Sequence, residues 1–269
     1  MSQSASRHYP FLGYSGWHSA LVAVFLVLPL AVMVPISFTA GRLLVYPVPG
    51  FSLEWYAEFF GDPQWRRVLW NSVLIGLATT LISVPLGTMA ALGLDRLRGP
   101  LRRLVLGLVA SPIVLPHVVF AVSAFYFYSR QGLAGTFLGV VVGHTALALP
   151  FVVIIVSATL QGYDRNLTRA AQSLGASPLY AFRRITLPLV APGVLSGAVF
   201  AFVTSFDELI MTLFIASPEQ RTLPLQIWSG VQESSSPVVV AAAMILMLAS
   251  VALMLLIEVL KRRRQSANT

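Results

Sequence analysis

Along this chain the apolar positions come in long runs rather than in stripes. Stretches of about 20 residues, the number a helix needs to cross about 30 Å of hydrocarbon, lie near Ala20–Phe38, Trp70–Leu94, Leu104–Tyr128, Thr136–Leu160, Gly193–Ile215 and Val238–Leu260. They predict six spans. A spanning segment must satisfy its own backbone hydrogen bonds, and the alternating ten-residue pattern of a membrane barrel is absent, so the runs are read as helices. The first is longer than the apolar region of a secretory signal, contains Pro29 and Pro35, and is followed by no A-x-A cleavage site; it is kept as a span. The expected fold is therefore an all-α membrane protein with six transmembrane helices. It forms a single domain over residues 1–269, its core about 51–260, with no internal repeat and no linker.

Composition agrees with that pattern. The 269 residues are 57% hydrophobic and 10% charged, against roughly 25% charged in a soluble domain. A net charge of +8 would in a soluble chain raise nucleic acid as a partner, but the placement of the basic residues points elsewhere. Arg7 precedes the first span. Arg96, Arg98, Arg102 and Arg103 join spans two and three, Arg165, Arg169, Arg183 and Arg184 join spans four and five, and Lys261, Arg262, Arg263 and Arg264 close the chain. The alternate loops hold only Arg42, Arg66, Arg67, Arg130 and Arg221. By the positive-inside rule both termini and the loop between spans four and five face the cytoplasm, and no nucleic-acid role follows. Cysteine is absent, which excludes disulfides and thiolate metal sites.

Two outward segments stand out. In "FSLEWYAEFF", Ser52 is placed to cap a short helix carrying Trp55, Phe59 and Phe60, which would lie in an interfacial aromatic belt or dock a partner. The stretch from Ala216 to Pro237 reads as irregular backbone from its Pro, Ser and Gly content, and it is long for a connection.

The inward stretch "RAAQSLGASPLYAFRRITLP", Arg169 to Pro188, is built differently from the runs around it. Asp164 suits the N-cap of a helix starting at Arg165, and Gly175 suits its end. Leu167, Ala170, Ala171 and Leu174 fall at i, i+3, i+4, i+7 and give it one apolar face. Ser177 followed by Pro178 starts a second helix, with Leu179, Phe182 and Ile185 on one side and Arg183 and Arg184 on another; Pro188 and Pro192 are expected to interrupt the backbone before span five. Two short helices hinged at a glycine fit either an amphipathic loop lying on lipid headgroups or a protein-docking element whose small alanines allow close approach.

At these residues the chain resembles the permease subunits of binding-protein-dependent ABC importers. Their loop reads E-A-A, three residues, Gly, nine residues, Ile, one residue, Leu-Pro, and Ala170, Ala171, Gly175, Ile185, Leu187 and Pro188 match at every interval. The family's glutamate is Arg169 here, so a contact at that position would need an acidic partner. The resemblance runs from about Phe51 to Ile245; within the family, "FSLEWYAEFF", "SFDELIMTLF" and "TLPLQIWSGV" look most like the second permease of spermidine/putrescine-type importers. It implies that the loop couples to the ATPase by inserting into a groove on a cytoplasmic ATPase. It also implies a bacterial inner-membrane location, two ATPase subunits that bind ATP and magnesium, a second and different permease, and an external solute-binding protein. No cofactor is expected in this chain. Consistent with hydrolysis on another polypeptide, a phosphate-binding P-loop needs a lysine after its glycines, and the only lysine is Lys261 in the basic tail.

Asp207 and Glu208 fall deep in the fifth run. An acidic residue near the bilayer centre costs about 2.5–3.5 kcal/mol on insertion scales, so it is expected to face a cavity or a partner. Neighbours on a helix point about 100° apart, so one would line a substrate path while the other pairs with another helix, unless the helix breaks there. A carboxylate on the route suits a cationic polyamine; it would equally serve a stand-alone secondary transporter or cation channel. His117 and His144 also lie in spans, with no E-x-x-H or H-x-x-H companion, and are read as hydrogen-bonded in helix interfaces rather than as metal ligands. Gly13-Tyr14-Ser15-Gly16 resembles a G-x-S-G serine-protease motif with His144 as its base, but Ser15 precedes the first span on the cytoplasmic side, whereas an intramembrane nucleophile would be buried beside its histidine, and no enzyme is read from it.

Overall fold

The computed structural model describes residues 11–233 and 236–266; Arg7, used above for orientation, lies outside the described residues. In chain order the helices are α1 (Phe11–Ser37), α2 (Glu54–Gly61), α3 (Pro63–Arg96), α4 (Gly99–Val114), α5 (His117–Arg130) and α6 (Phe137–Gln161). There follow α7 (Arg165–Ser173), α8 (Pro178–Ala181), a π-helical turn (Phe182–Thr186), α9 (Leu187–Phe206), α10 (Ile210–Ile215), α11 (Leu223–Glu233) and α12 (Pro237–Ser266). Among the described residues the only β pairing is an isolated bridge between Thr39 and Phe51.

Helices α3, α6 and α9 pack on one another and form the centre of the bundle. Lipid tails are as apolar as leucine, so helices in a bilayer associate through close fit rather than through escape from water. The fit here is made at glycines. A Cβ on Gly193 of α9 would overlap the Thr159 side chain of α6, and one on Gly197, a turn later, would stand 3.2 Å from Val152. Gly87 of α3 meets the same Val152, where a Cβ would stand 2.7 Å away. Val152, Val156, Leu160, Val190 and Ala201 are buried in this seam. Helix α1 lies against α12 and leaves its apolar surface open, as expected of a helix whose surroundings are lipid.

Among the described residues five helices are long and apolar enough to cross a membrane, and they number six if the α4–α5 pair, bent by 100°, is taken as one span. The third span expected over Leu104–Tyr128 is thus not a straight rod. Pro116 is the cause: it holds Leu115 in extended backbone, φ −70° and ψ 140°, which ends α4. The fifth span differs too. Pro188 and Pro192 do not interrupt it; α8 runs through the π turn into α9, so one helical body extends over Pro178–Phe206. A proline ring inside a helix clashes with the carbonyl four residues back, and the wider π turn immediately before Pro188 relieves that crowding, with Leu187 N–H reaching Phe182 C=O.

The 51–60 and 216–237 segments also hold more regular structure than expected. Trp55 and Phe59 of α2 are buried with Trp65, Val68, Leu223 and Val239 in a cluster between the starts of α3 and α12, so they are core residues rather than an exposed belt. Phe60 alone of the three aromatics is exposed. Ser52 Oγ accepts the Glu54 N–H at 3.0 Å, close to the capping role expected of it. The 216–237 stretch is largely helical, as α11; Pro224 in the first turn suits a helix start. Asn71 of α3 fastens this stretch by donating to the carbonyls of Glu219 (2.8 Å) and Arg221 (2.9 Å).

Candidate functional site

Two interruptions of the helices between residues 165 and 215 hold the residues of interest. The first is the two-helix loop. Asp164 caps α7 by accepting the Asn166 N–H at 2.9 Å, and Ser177 caps α8 by accepting the Tyr180 N–H at 3.3 Å. Between them Gly175 has φ +93°, where a Cβ is disfavoured. Its N–H reaches Gln172 C=O and the Ala176 N–H reaches Ala171 C=O, both 3.0 Å, the paired bonds that close a helix on a left-handed residue. Nothing lies within 4 Å of a Cβ built on Gly175; its requirement is conformational, not steric.

This geometry presents Ala170, Ala171 and Gly175 at one end of α7 beside Leu174, which is 89% exposed. Leu167, Leu179 and Tyr180 add to the exposed apolar surface, and Arg169 is exposed at its edge. Ile185, Leu187 and Pro188 are set apart from this face, in the π turn and the first turn of α9. Helix α7 buries none of its residues. It is held instead by polar contacts: Arg165 pairs with Asp95 at the end of α3, and Thr168 Oγ1 meets Thr186 Oγ1 at 3.0 Å. Tyr163, just past α6, places its hydroxyl on Thr168 and, at 3.3 Å, on Thr186.

The second interruption is the break at residues 207–209. Asp207 ends α9 and Glu208 precedes α10, so the two acids sit where the helix parts rather than on a continuous span. They face different ways. Glu208 is 8% exposed, and its Oε1 accepts the Met211 N–H at 2.9 Å, satisfying a donor at the start of α10. Asp207 is exposed, and among the described residues nothing hydrogen-bonds its carboxylate. A single side chain of α6 spans the break: His144, fully buried, places Nδ1 2.8 Å from Ser205 Oγ and Nε2 3.0 Å from Thr212 Oγ1. An imidazole that donates from one ring nitrogen and accepts at the other serves both hydroxyls. Ser205 further reaches Thr79 of α3 at 3.3 Å. His117, by contrast, is exposed at the start of α5.

Sequence reading anticipated His144 as an interface residue but missed Tyr163, Thr168 and Thr186 as a group, and missed the Gly193–Gly197 seam. The seam has a sequence signal, a G-x-x-x-G spacing inside an apolar run. The hydroxyl group has none, because its three members come from three elements.

A glycine-packed membrane bundle with an amphipathic two-helix loop at one end and a broken helix bearing carboxylates defines an integral membrane transport subunit. Comparison with known proteins is specific: the chain belongs to the family of binding-protein-dependent transport system inner membrane components, whose pattern matches residues 83–266. It is 29% identical over 217 residues to the spermidine/putrescine transport system permease protein PotC of Escherichia coli, covering 81% of each chain. Over 217 residues it is 30% identical to the putrescine transport system permease protein PotI of the same organism, covering 77% of this chain and 76% of that one. Its fold matches that of a bacterial ABC transporter involved in the import of the acidic polysaccharide alginate. The TM-score is 0.71 at 16% identity, over 94% of this chain and 96% of that one. The MetNI methionine ABC transporter matches at TM-score 0.59 and 19% identity, over 75% and 98%. At those identities the likeness is one of fold.

Proposed function

We infer that this chain is the permease subunit of an ATP-driven importer and forms half of a translocation pathway for a polyamine. The observation that carries the solute class is Asp207. An exposed carboxylate at a break in a membrane-crossing helix, with no partner among the described residues, is costly against lipid, and a polyamine ammonium passing the helix break would meet it. The names of the relatives PotC and PotI support the same class. In this reading the basic loops face the cytoplasm, as the charge distribution favours. The surface of Ala170, Ala171, Leu174 and Gly175 seats in a cytoplasmic ATPase subunit, two of which bind ATP and magnesium. A second, different permease completes the pathway, and an external binding protein delivers solute to the α2 and α11 side.

The test is uptake of labelled putrescine and spermidine into proteoliposomes holding the assembled complex, with and without internal ATP. ATP-dependent uptake is expected, and Asp207→Asn should slow it about ten- to hundredfold, the range set by losing a charge-assisted contact. Glu208→Gln keeps an acceptor for the Met211 N–H and should stay near the parental rate. Parental uptake by Asp207→Asn removes the case for a cationic solute. Uptake that ignores ATP and follows an ion gradient would replace the importer with a stand-alone carrier or channel.

A further inference from the structure

Helix α7 carries the exposed apolar surface of the loop yet buries no residue of its own. Movement imposed on it therefore reaches the membrane spans through the short chain segments on either side of it and through its polar attachments. The attachments are of two kinds. The Arg165–Asp95 pair is solvent-exposed, with side chains 49% and 22% accessible, and an exposed ion pair contributes little and is screened by salt. The hydroxyls of Tyr163, Thr168 and Thr186 form a closed, partly buried triangle. Thr186 is 7% exposed, and removing a partner from a buried hydroxyl carries the larger penalty.

The location of Thr186 gives the triangle its mechanical meaning. It is the last residue of the π turn and directly precedes α9. A π turn is a local excess of one residue in a helix and is frequent at functional sites. Beyond it, α9 runs 20 residues to Phe206, about 30 Å, clamped to α6 by Gly193 and Gly197 and ending beside Asp207. Tyr163 ties the same joint to the end of α6, whose His144 holds the far break. Loop, rod and break thus form one chain of contacts.

We propose that the Tyr163–Thr168–Thr186 hydroxyl triad is the joint through which displacement of α7 moves α9, so that these three are positioning residues for coupling of ATP hydrolysis to transport. The proposal rests on the importer reading above, and its test separates the two. In proteoliposomes of the full complex, transport per ATP hydrolysed is compared for Thr186→Val, Thr168→Val and Tyr163→Phe, which keep shape and lose the hydroxyl, and for Thr186→Ser and Thr168→Ser, which keep the hydroxyl and lose a methyl. The hydroxyl-free variants should fall about five- to tenfold in transport per ATP with assembly and hydrolysis retained, and the serine variants should stay within twofold (about) of the parent. Parental ratios in the valine and phenylalanine variants, or serine variants as impaired as valine, overturn the joint. Should the parent show no ATP-dependent uptake, the importer reading falls by itself. The joint is then read in the full chain in lipid nanodiscs, where the absence of cysteine lets spin labels sit uniquely at Ser173→Cys on α7 and Leu195→Cys on α9. A distance distribution that broadens with Thr186→Val supports the joint; one that stays as narrow as the parent's overturns it.

Discussion

The helical stretch from Pro178 to Ile215 carries an irregularity near each end, the π turn and the 207–209 break, and the two are fastened in opposite ways. At the 207–209 break the fastening is enclosed: His144 is fully buried and Glu208 is 8% exposed. At the π turn the fastening is half open, with Tyr163 and Thr168 partly exposed and an ion pair in solvent beside them. Buried polar groups without partners are expensive, so the break is a place where the chain has one arrangement available. Thr186 alone of the triad is buried; the more exposed groups around it can exchange partners with water, so α7 can shift about the joint while Thr186 keeps it tied to α9. The difference assigns a fixed arrangement to the end that holds the acids and a movable one to the end that carries the exposed apolar face of α7.

The sharpest way to break that contrast is at His144. His144→Ala removes a partner from both Ser205 and Thr212 in a buried site; each keeps one longer bond, to Thr79 Oγ1 and to the Glu208 carbonyl, both at 3.3 Å, so the lost hydrogen bonds together cost about 1–3 kcal/mol. The expected outcome is a large drop in the thermal midpoint of the purified chain in detergent, restored in part by His144→Gln, which again offers a donor and an acceptor. An unchanged midpoint for His144→Ala would mean that the break holds itself open. On the movable side, Gly175→Val places a β-branched residue at φ +93°, where a left-handed conformation costs roughly 1–2 kcal/mol. It should reduce recovery of the chain with its ATPase subunit about five- to thirtyfold while leaving the thermal midpoint of the membrane domain near the parent, because α7 buries no residue. A midpoint that falls as far as that of His144→Ala would erase the distinction between the two ends. The smallest effect belongs to Asp95→Asn, which removes an exposed pair worth about 0–1 kcal/mol. Transport should change by less than about threefold, and the change should vanish in high salt.

How much of this was legible beforehand follows the same division. The loop was readable residue by residue because its signals are local: Asp164, Ser177 and Gly175 each do what their residue type does at a cap or a left-handed turn. The six apolar runs were readable because the bilayer fixes their length. What sequence could not supply was contact at long separation. His144 meets Ser205 and Thr212 at separations of 61 and 68 residues, and only the packing of α6 on α9 and α10 brings them together. The bend at Pro116 had a local cause that was present in the run and outweighed by its hydropathy. Helix α11 was misread for a related reason: Pro, Ser and Gly weigh toward loop, whereas Leu223 and Leu225 are buried against its neighbours, and tertiary packing overrode propensity.

The extra residue in the π turn has a consequence for chain length. Because that turn already holds one residue more than an α-helical turn, deleting a residue within 182–186 is absorbed there, the turn becoming α-helical while α7 and α8 keep their bearing on α9. A deletion in the regular helix of α9 has no such slack: each α-helical residue advances the helix by about 100°, so Ala170, Ala171 and Leu174 would look along a different bearing while keeping their chemistry intact. The π turn is therefore a reserve of length, the one stretch between Gly175 and α9 that can lose a residue without redirecting the loop.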